Sequence, residues 1–325
     1  MKYFKLYVLL LAGVFLTGCF GQSDLSMIYE EDSSYKNQLV KYMPADYGDI
    51  STGFLSDELC VVPLDYQVTK NPFITAQSSL IFDITDQSVL YADNVYEKLY
   101  PASVTKILTA LIVLEQCENL SETVTISYNA ANITEPGAKK CGFKEGDKVI
   151  LRDLLYCFLV YSGNDAGVAL AEYVSGSEAA FAKLMNQKAQ DLGAVHSNFV
   201  NAHGLHSDEH YTTIYDIYLI FNECLKNEMF VDMIGTTRYI VSYKNALGEE
   251  KQRVFENTNR YLLGTEKAPQ RVTVIGGKTG TTLKAGACLV LYSMDEEHHK
   301  HISIIFKADT SDALFQQMTT LLNYE

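Results

Sequence analysis

Apolar residues at 104, 107, 108, 111, 112 and 114 recur at i, i+3, i+4 and i+7 spacing, which predicts a helix over 104–114 with one face in a core. Two strand-like runs precede it, 78–84 and 87–93, and the Thr85-Asp86 turn between them predicts a hairpin. After a polar, loop-rich stretch over 121–149, an apolar helix is expected from Leu151 to Leu159, ending near Val160. A short helix over 169–174 should follow the break at 161–166. The amphipathic stretch 177–192 has Ser177 as its N-cap and Gly193 as its stop, and Thr212 or Thr213 can cap a further helix through Leu225. Residues 240–243 and 254–255 are weakly strand-like. Three stronger strands follow at 272–275 running into 276–281, at 287–292 and at 302–306, before a closing helix over 311–322. Strands at both ends around a helical middle predict an α+β (mixed α/β) fold, with one sheet and a helical lobe inserted into it.

The N-terminus changes the picture of where the protein works. Met1-Lys-Tyr-Phe-Lys5 is basic, 6–15 is apolar but short for a membrane span, and Leu16-Thr-Gly-Cys19 follows at once. This is the pattern of an export signal. Leu16-Thr-Gly-Cys19 resembles the bacterial lipobox, which implies lipidation at Cys19 and a membrane attachment through acyl chains. The expected organisation is a lipoprotein signal peptide over 1–18, a lipidated N-terminus and tether over 19–60, and a catalytic domain over 61–325. The place expected for it is the outer face of the bacterial cytoplasmic membrane. A formal charge of −14, near −16 once Lys2 and Lys5 are removed, argues against nucleic acid or anionic headgroups as partners. Six cysteines remain besides Cys19; Cys157 and Cys288 lie in apolar runs, and the pairing is open, Cys117 with Cys141 being one combination.

Three polar stretches interrupt or follow apolar elements: Ser103 with Lys106, Ser162 with Asn164, and Lys278-Thr279-Gly280. A serine three residues ahead of a lysine on one helix puts a hydroxyl beside an amine, which can take its proton if burial lowers the amine's pKa. A helix cap is the plainer reading of Ser103, but a capping box wants Glu or Gln at the third position, and Lys opposes the helix dipole there. Ser162 and Asn164 offer a second hydroxyl and an amide, and also suit a cap. Lys278 offers a positive pocket for a carboxylate, and Gly280 allows a ligand backbone to come close.

In order and together, SxxK, SxN and KTG resemble the motif set of the penicillin-recognising serine enzymes. Pro101-Ala-Ser-Val-Thr-Lys106, 162–166 and 278–280 are similar to the low-molecular-weight D-alanyl-D-alanine carboxypeptidases. So are Met185-Asn186, Phe199-Val-Asn201, Gly204-Leu205, Asp216, Asn259 and Ala285-Gly286. The resemblance covers about Leu80 to the C-terminus. It implies a β-lactamase/transpeptidase-like fold, an antiparallel sheet flanked by helices with an inserted all-helical lobe. It also implies Ser103 as nucleophile, Lys106 as base and Ser162 as proton relay. Asn164, Lys278, Thr279 and Thr281 would bind substrate, with the Ser103 and Thr281 N–H groups as oxyanion hole. The implied substrate is a peptidoglycan stem peptide ending in D-Ala-D-Ala, with β-lactams as covalent inhibitors and neither metal nor organic cofactor. Two departures stand out. Ala202 occupies a position where the family often has proline, and the residues after Gly280 are taken up by strands and a helix, leaving no room for the family's frequent C-terminal β-rich domain. Arg238 is a candidate for the substrate carboxylate, and a solvated surface arginine is the alternative.

Competing readings are a β-lactamase, a transpeptidase or endopeptidase of the same fold, and a non-catalytic wall-binding lipoprotein. The β-lactamase reading lacks a deacylating glutamate in 198–201. A zinc enzyme is a further reading: His196, His203, His206 and His210 cluster in the sequence, and His203 and His206 could ligate the metal. His298, His299 and His301, which follow Asp295-Glu-Glu297, read as a solvated turn.

Overall fold

The computed structural model describes residues 59–63 and 65–325. The signal segment, Cys19 and most of the tether lie outside the described residues. The helices, in chain order, are α1 (Lys106–Gln116), α2 (Tyr128–Ala131), α3 (Leu151–Tyr156), α4 (Asn164–Ser175), α5 (Glu178–Asp191), α6 (Ile214–Cys224), α7 (Glu228–Gly235) and α8 (Ser311–Leu321).

The strands from the two ends of the chain form one antiparallel sheet, as the order of elements predicts. They are β1 (Ser78–Asp83) and β2 (Ser88–Asp93) from the N-terminal side, and β7 (Thr273–Thr282), β8 (Gly286–Met294) and β9 (Lys300–Ala308) from the C-terminal side. Their order is β2-β1-β9-β8-β7, so β1 closes against β9, with Leu80 opposite Ile304 and Asp83 opposite His301. Strands β8 and β9 are apolar almost throughout because both faces are covered. Ile81, Leu289, Leu291 and Ile305 pack under α8, while Leu80, Phe82, Val290 and Ile304 join the larger core shared with α1 and α6.

Helix α1 departs from the one-sided pattern that its apolar spacing suggests. Every residue from Lys106 to Val113 is buried, because α4, α5 and α6 surround it. Its polar members are satisfied internally; the Thr109 hydroxyl donates to the carbonyl of Ala202 at 2.7 Å. The predicted caps form, with Ser177 Oγ accepting from the Ala180 N–H and Thr213 Oγ1 from that of Asp216.

The inserted part is not all-helical. A second antiparallel sheet, in the order β3-β4-β5-β6, joins β3 (Thr123–Thr125) and β4 (Lys148–Ile150) to the hairpin of β5 (Arg238–Lys244) and β6 (Glu250–Glu256). Strands of three residues are too short to leave an alternation in the polar 121–149 stretch, and only Val124 and Val149 point inward. The apolar helix predicted up to Leu159 ends earlier, at Tyr156. It continues as a wider π-type turn over Cys157–Tyr161, and α4 begins at Asn164 rather than at Ala169.

All six described cysteines are free thiols, so Cys117 and Cys141 are not bridged. Cys60 is fully buried: its N–H donates to Tyr218 Oη at 2.8 Å and its carbonyl accepts from Tyr215 Oη at 3.0 Å. The packed body thus takes in Cys60, the last residue of the stretch read as tether.

Candidate active site

Ser103 sits in a single 3-10 turn, Ala102–Thr105, that leads directly into α1, whose first residue is Lys106. The turn is braced from behind. Ala102 adopts a positive φ of 46°, and its carbonyl accepts from the Thr105 hydroxyl at 2.8 Å. His210 Nε2 lies 2.8 Å from the same hydroxyl, while the Val200 N–H donates to His210 Nδ1 at 3.1 Å. With Nδ1 accepting, the ring carries its proton on Nε2 and donates to Thr105. Burial first, then the charges of His203 and Lys106, push His210 down to about 3, so it stays neutral. Gly204 closes over the turn; a Cβ there would lie 1.8 Å from the Ala102 carbonyl oxygen, so no other residue fits.

Lys106 is 0 % exposed, and its Nζ has three neighbours. It donates to Asn164 Oδ1 at 2.7 Å and to the His203 carbonyl at 2.6 Å, and it lies 2.9 Å from Ser103 Oγ. Burial, reinforced by the charge of Lys278, holds its pKa well below the ordinary lysine value. A neutral amine has two N–H bonds and one lone pair. Amide and peptide oxygens can only accept, so both N–H bonds are committed to them and the lone pair faces the Ser103 hydroxyl. Ser103 therefore does not act as a helix cap.

The second motif follows the π-type turn. Ser162 takes a left-handed conformation, φ 72°, and Asn164 opens α4 two residues later. Both carboxylate oxygens of Asp165 accept backbone N–H bonds at 2.7 Å, from Cys141 and Gly142, and the Asn164 N–H donates to the Lys139 carbonyl at 2.8 Å. These bonds tie the 139–142 turn to the motif. The third motif lies on β7, which is an edge of the main sheet. Lys278, 1 % exposed, donates to Ser162 Oγ at 3.0 Å and to the Thr279 carbonyl at 2.9 Å. Burial and the nearby charge of Lys139 push it down to about 7. Thr279 Oγ1 lies 2.6 Å from Thr258 Oγ1. Gly280 faces the Ser103 turn, where a Cβ would stand 3.0 Å from the backbone nitrogens of Ser103 and Val104.

One crevice thus brings together Ser103, Lys106, Ser162, Asn164, Lys278 and Thr279, with Thr281 next along the same edge strand. Arg238 is not of this group; it is an exposed residue opening β5, opposite Glu256. The histidines at 196–210 do not assemble as a metal centre. His203 faces Glu178 and accepts the Leu205 N–H, His210 is engaged as above, and His206 pairs with Asp208. The loop with Ala202 in place of proline is held by Asn201, which accepts from the Gly204 N–H at 2.7 Å and donates to the Leu205 carbonyl at 2.9 Å. Sequence reasoning missed Lys139, Thr258, the His203 carbonyl and the brace that His210 gives to Thr105, having weighed His210 only as part of a histidine cluster. Lys139 stood in a turn with no periodic signal, and a backbone carbonyl leaves no trace in residue types.

The family profile described as D-alanyl-D-alanine carboxypeptidase matches residues 65–310. The chain belongs to that family. It is 34 % identical over 77 % of its length to D-alanyl-D-alanine carboxypeptidase DacF of Bacillus subtilis, and 31 % identical over 79 % to DacC of Escherichia coli. It spans 61 % and 63 % of the length of those two carboxypeptidases. The D-alanyl-D-alanine carboxypeptidase of Streptomyces sp. K15 is 30 % identical over 79 % of this chain and 89 % of its own. Among solved structures, the Streptomyces K15 DD-transpeptidase superposes with a TM-score of 0.70 at 29 % identity, covering 79 % of this chain and 98 % of that one. The carboxypeptidase family's mixed α/β architecture is thereby the one described above.

Proposed function

We propose that this family member is a serine D-Ala-D-Ala carboxypeptidase that removes the terminal D-alanine from peptidoglycan stem pentapeptides. The observation that carries the reading is the lone pair of Lys106 facing Ser103 Oγ at 2.9 Å, with both of its N–H bonds held elsewhere. Lys106 takes the Ser103 proton as Oγ bonds to the carbonyl carbon between the two D-alanines. The oxyanion that forms is held by the N–H groups of Ser103 and Thr281. The carbon–nitrogen bond then breaks, and the leaving D-alanine amine gains a proton relayed by Ser162. Asn164 orients Lys106 and the substrate amide. Lys278, charged when a carboxylate binds, and Thr279 hold the substrate's C-terminus against the open edge of β7. Water hydrolyses the ester on Ser103 and frees the enzyme. A β-lactam, whose ring amide meets the same hydroxyl, would stop at the acyl-enzyme.

The same reading places the catalytic body outside the cytoplasmic membrane, tethered through a lipid on Cys19. Metabolic labelling with an alkyne fatty acid, lost in Cys19→Ser, tests that attachment. A second reading, transfer of the acyl group to another stem peptide's amine, is supported by the solved Streptomyces K15 structure described as a DD-transpeptidase. Incubation with pentapeptide muropeptides followed by mass spectrometry separates the two. Loss of one alanine supports hydrolysis, crosslinked dimers support transfer, and neither product would overturn the assignment.

A further inference from the structure

At the end of the main sheet where β1 stops and β9 starts, two strands removed from the catalytic β7, three side chains able to ligate a metal converge, Asp83, Asp86 and His299, and the buried His301 stands beside Asp83. Asp83 Oδ2 lies 3.0 Å from His299 Nδ1 and 3.8 Å from His301 Nε2, and Asp86 Oδ2 lies 3.8 Å from His299 Nδ1. Bonds of 2.0–2.2 Å in tetrahedral zinc place ligand atoms about 3.3–3.6 Å apart, so these three separations lie on either side of such an edge, and His301 must swing toward His299 and Asp86 to complete the set. Two imidazoles with two carboxylates form a donor set suited to zinc, where calcium or magnesium would want oxygen alone.

The cluster is held in place by the backbone. Asp83 Oδ1 accepts the N–H groups of Thr85 and Asp86 at 2.8 and 3.0 Å, which leaves Oδ2 facing the histidines. The Ile84 N–H donates to the Lys300 carbonyl at 2.8 Å, the Lys300 N–H to Thr85 Oγ1 at 2.8 Å, and the His299 N–H to Asp295 Oδ1 at 2.9 Å. A second observation is independent of this geometry. The His301 side chain is 2 % exposed, yet its Nδ1 has no hydrogen-bond partner and its Nε2 points at Asp83 Oδ2 from beyond hydrogen-bond distance. Behind it, Glu325 Oε2 faces Nδ1 at 3.5 Å and is likewise unpartnered. A carboxylate behind an imidazole whose other nitrogen points at an acidic group is the arrangement that supports metal-bound histidines.

We propose that Asp83, Asp86, His299 and His301 bind one zinc ion, with Glu325 backing His301, and that the ion staples the β1–β2 turn to the β8–β9 turn. Zinc draws His301 Nε2 and Asp86 Oδ2 inward and gives His301 the partner it lacks. The site is structural and takes no part in the chemistry at Ser103. Its way in is through His299 and Asp86, whose side chains are 32 % and 62 % exposed.

The test is calorimetric titration of the chelator-treated full chain with Zn²⁺, beside His299→Ala, Asp86→Asn and the double variant. Both changes are on the surface, so the variants should fold and label with a fluorescent penicillin as the wild type does. The expected result is one zinc per wild-type chain and a melting midpoint raised by about 5 °C at zinc near a hundredfold over Kd. Affinity should fall by about tenfold or more in each variant, and Co²⁺ should give the intense visible bands of four-coordination in the wild type only. No uptake by the wild type, or equal uptake by the double variant, would overturn the site; equal uptake would assign the metal to the thiols or the 196–210 histidines.

Discussion

Two buried polar clusters in this molecule are built on opposite plans. Around Ser103, the amines of Lys106 and Lys278 are matched to fixed oxygens, and one lone pair is left pointing at the nucleophile. Around Asp83, a buried imidazole and a buried carboxylate face each other without hydrogen bonds. An unsatisfied buried polar atom costs about 1–3 kcal/mol, and His301 Nδ1 and Glu325 Oε2 are two of several such atoms among the described residues, Glu325 keeping one bond from Ser293 to its other oxygen. In the readings proposed above, the first cluster awaits only substrate and the second a cation. The comparison separates two reasons for burying charge-bearing groups: tuning a base, and preparing a ligand set.

The sharpest way to break the comparison is to remove the base. Lys106→Met should slow acylation by a fluorescent penicillin by about 10²–10⁴-fold, the range of a general base. The apolar chain spares the burial of an amine but leaves the buried Asn164 Oδ1 and His203 carbonyl without their donor, so the melting temperature should change only modestly. A large drop in melting temperature would instead make Lys106 a structural residue. Gly280→Ala tests the close approach of β7 to the Ser103 turn. The added Cβ must push 3.0 Å neighbours apart. The nearest neighbour, the Pro101 carbonyl oxygen at 2.9 Å, is backbone and must shift, so a loss on the order of a hundredfold in kcat/KM is expected together with a lower melting temperature.

The pH profile is a smaller effect with a defined sign. Lys106 must be neutral to act as base, so activity rises as pH climbs through its lowered pKa. Lys278 must be charged to hold a carboxylate, and in the free enzyme it loses its proton near about 7. The kcat/KM for a D-Ala-D-Ala peptide should therefore fall about tenfold per pH unit on the alkaline side. With a C-terminal amide in place of the carboxylate that limb should vanish; its persistence would remove Lys278 from carboxylate binding. Least affecting catalysis, Asn186→Ala should lower stability by about 1–3 kcal/mol in denaturant titration, with acylation nearly unchanged. Asn186 accepts the Phe199 N–H at 2.8 Å and donates to its carbonyl at 2.7 Å, well behind the nucleophile.

How far each cluster could be read in the sequence follows from how it is made. Ser103 and Lys106 are three residues apart on one turn, and Ser162 and Asn164 two apart on another, so local spacing carries their chemistry. The outer strands and amphipathic helices were legible for the same reason: their period is local. The His299–Asp83 contact spans 216 residues of chain and exists only because β1 registers on β9 with Asp83 opposite His301. No periodicity encodes that, and the His298–His301 stretch read as a solvated turn although His301 is buried. The second sheet escaped notice because β3 and β4 are three residues each. The all-round burial of α1 was hidden because neighbouring helices, not its own pattern, decide which faces are covered.

The central claim is that the Ser103 hydroxyl, activated by Lys106, becomes acylated. Intact-mass spectrometry of the full chain after incubation with benzylpenicillin measures this directly. The account predicts a single adduct of one penicillin mass, mapped by peptide digestion to the peptide holding Ser103 and absent from Ser103→Ala. An adduct of equal yield on the Ser103→Ala protein, or a folded wild type that takes none, would contradict it.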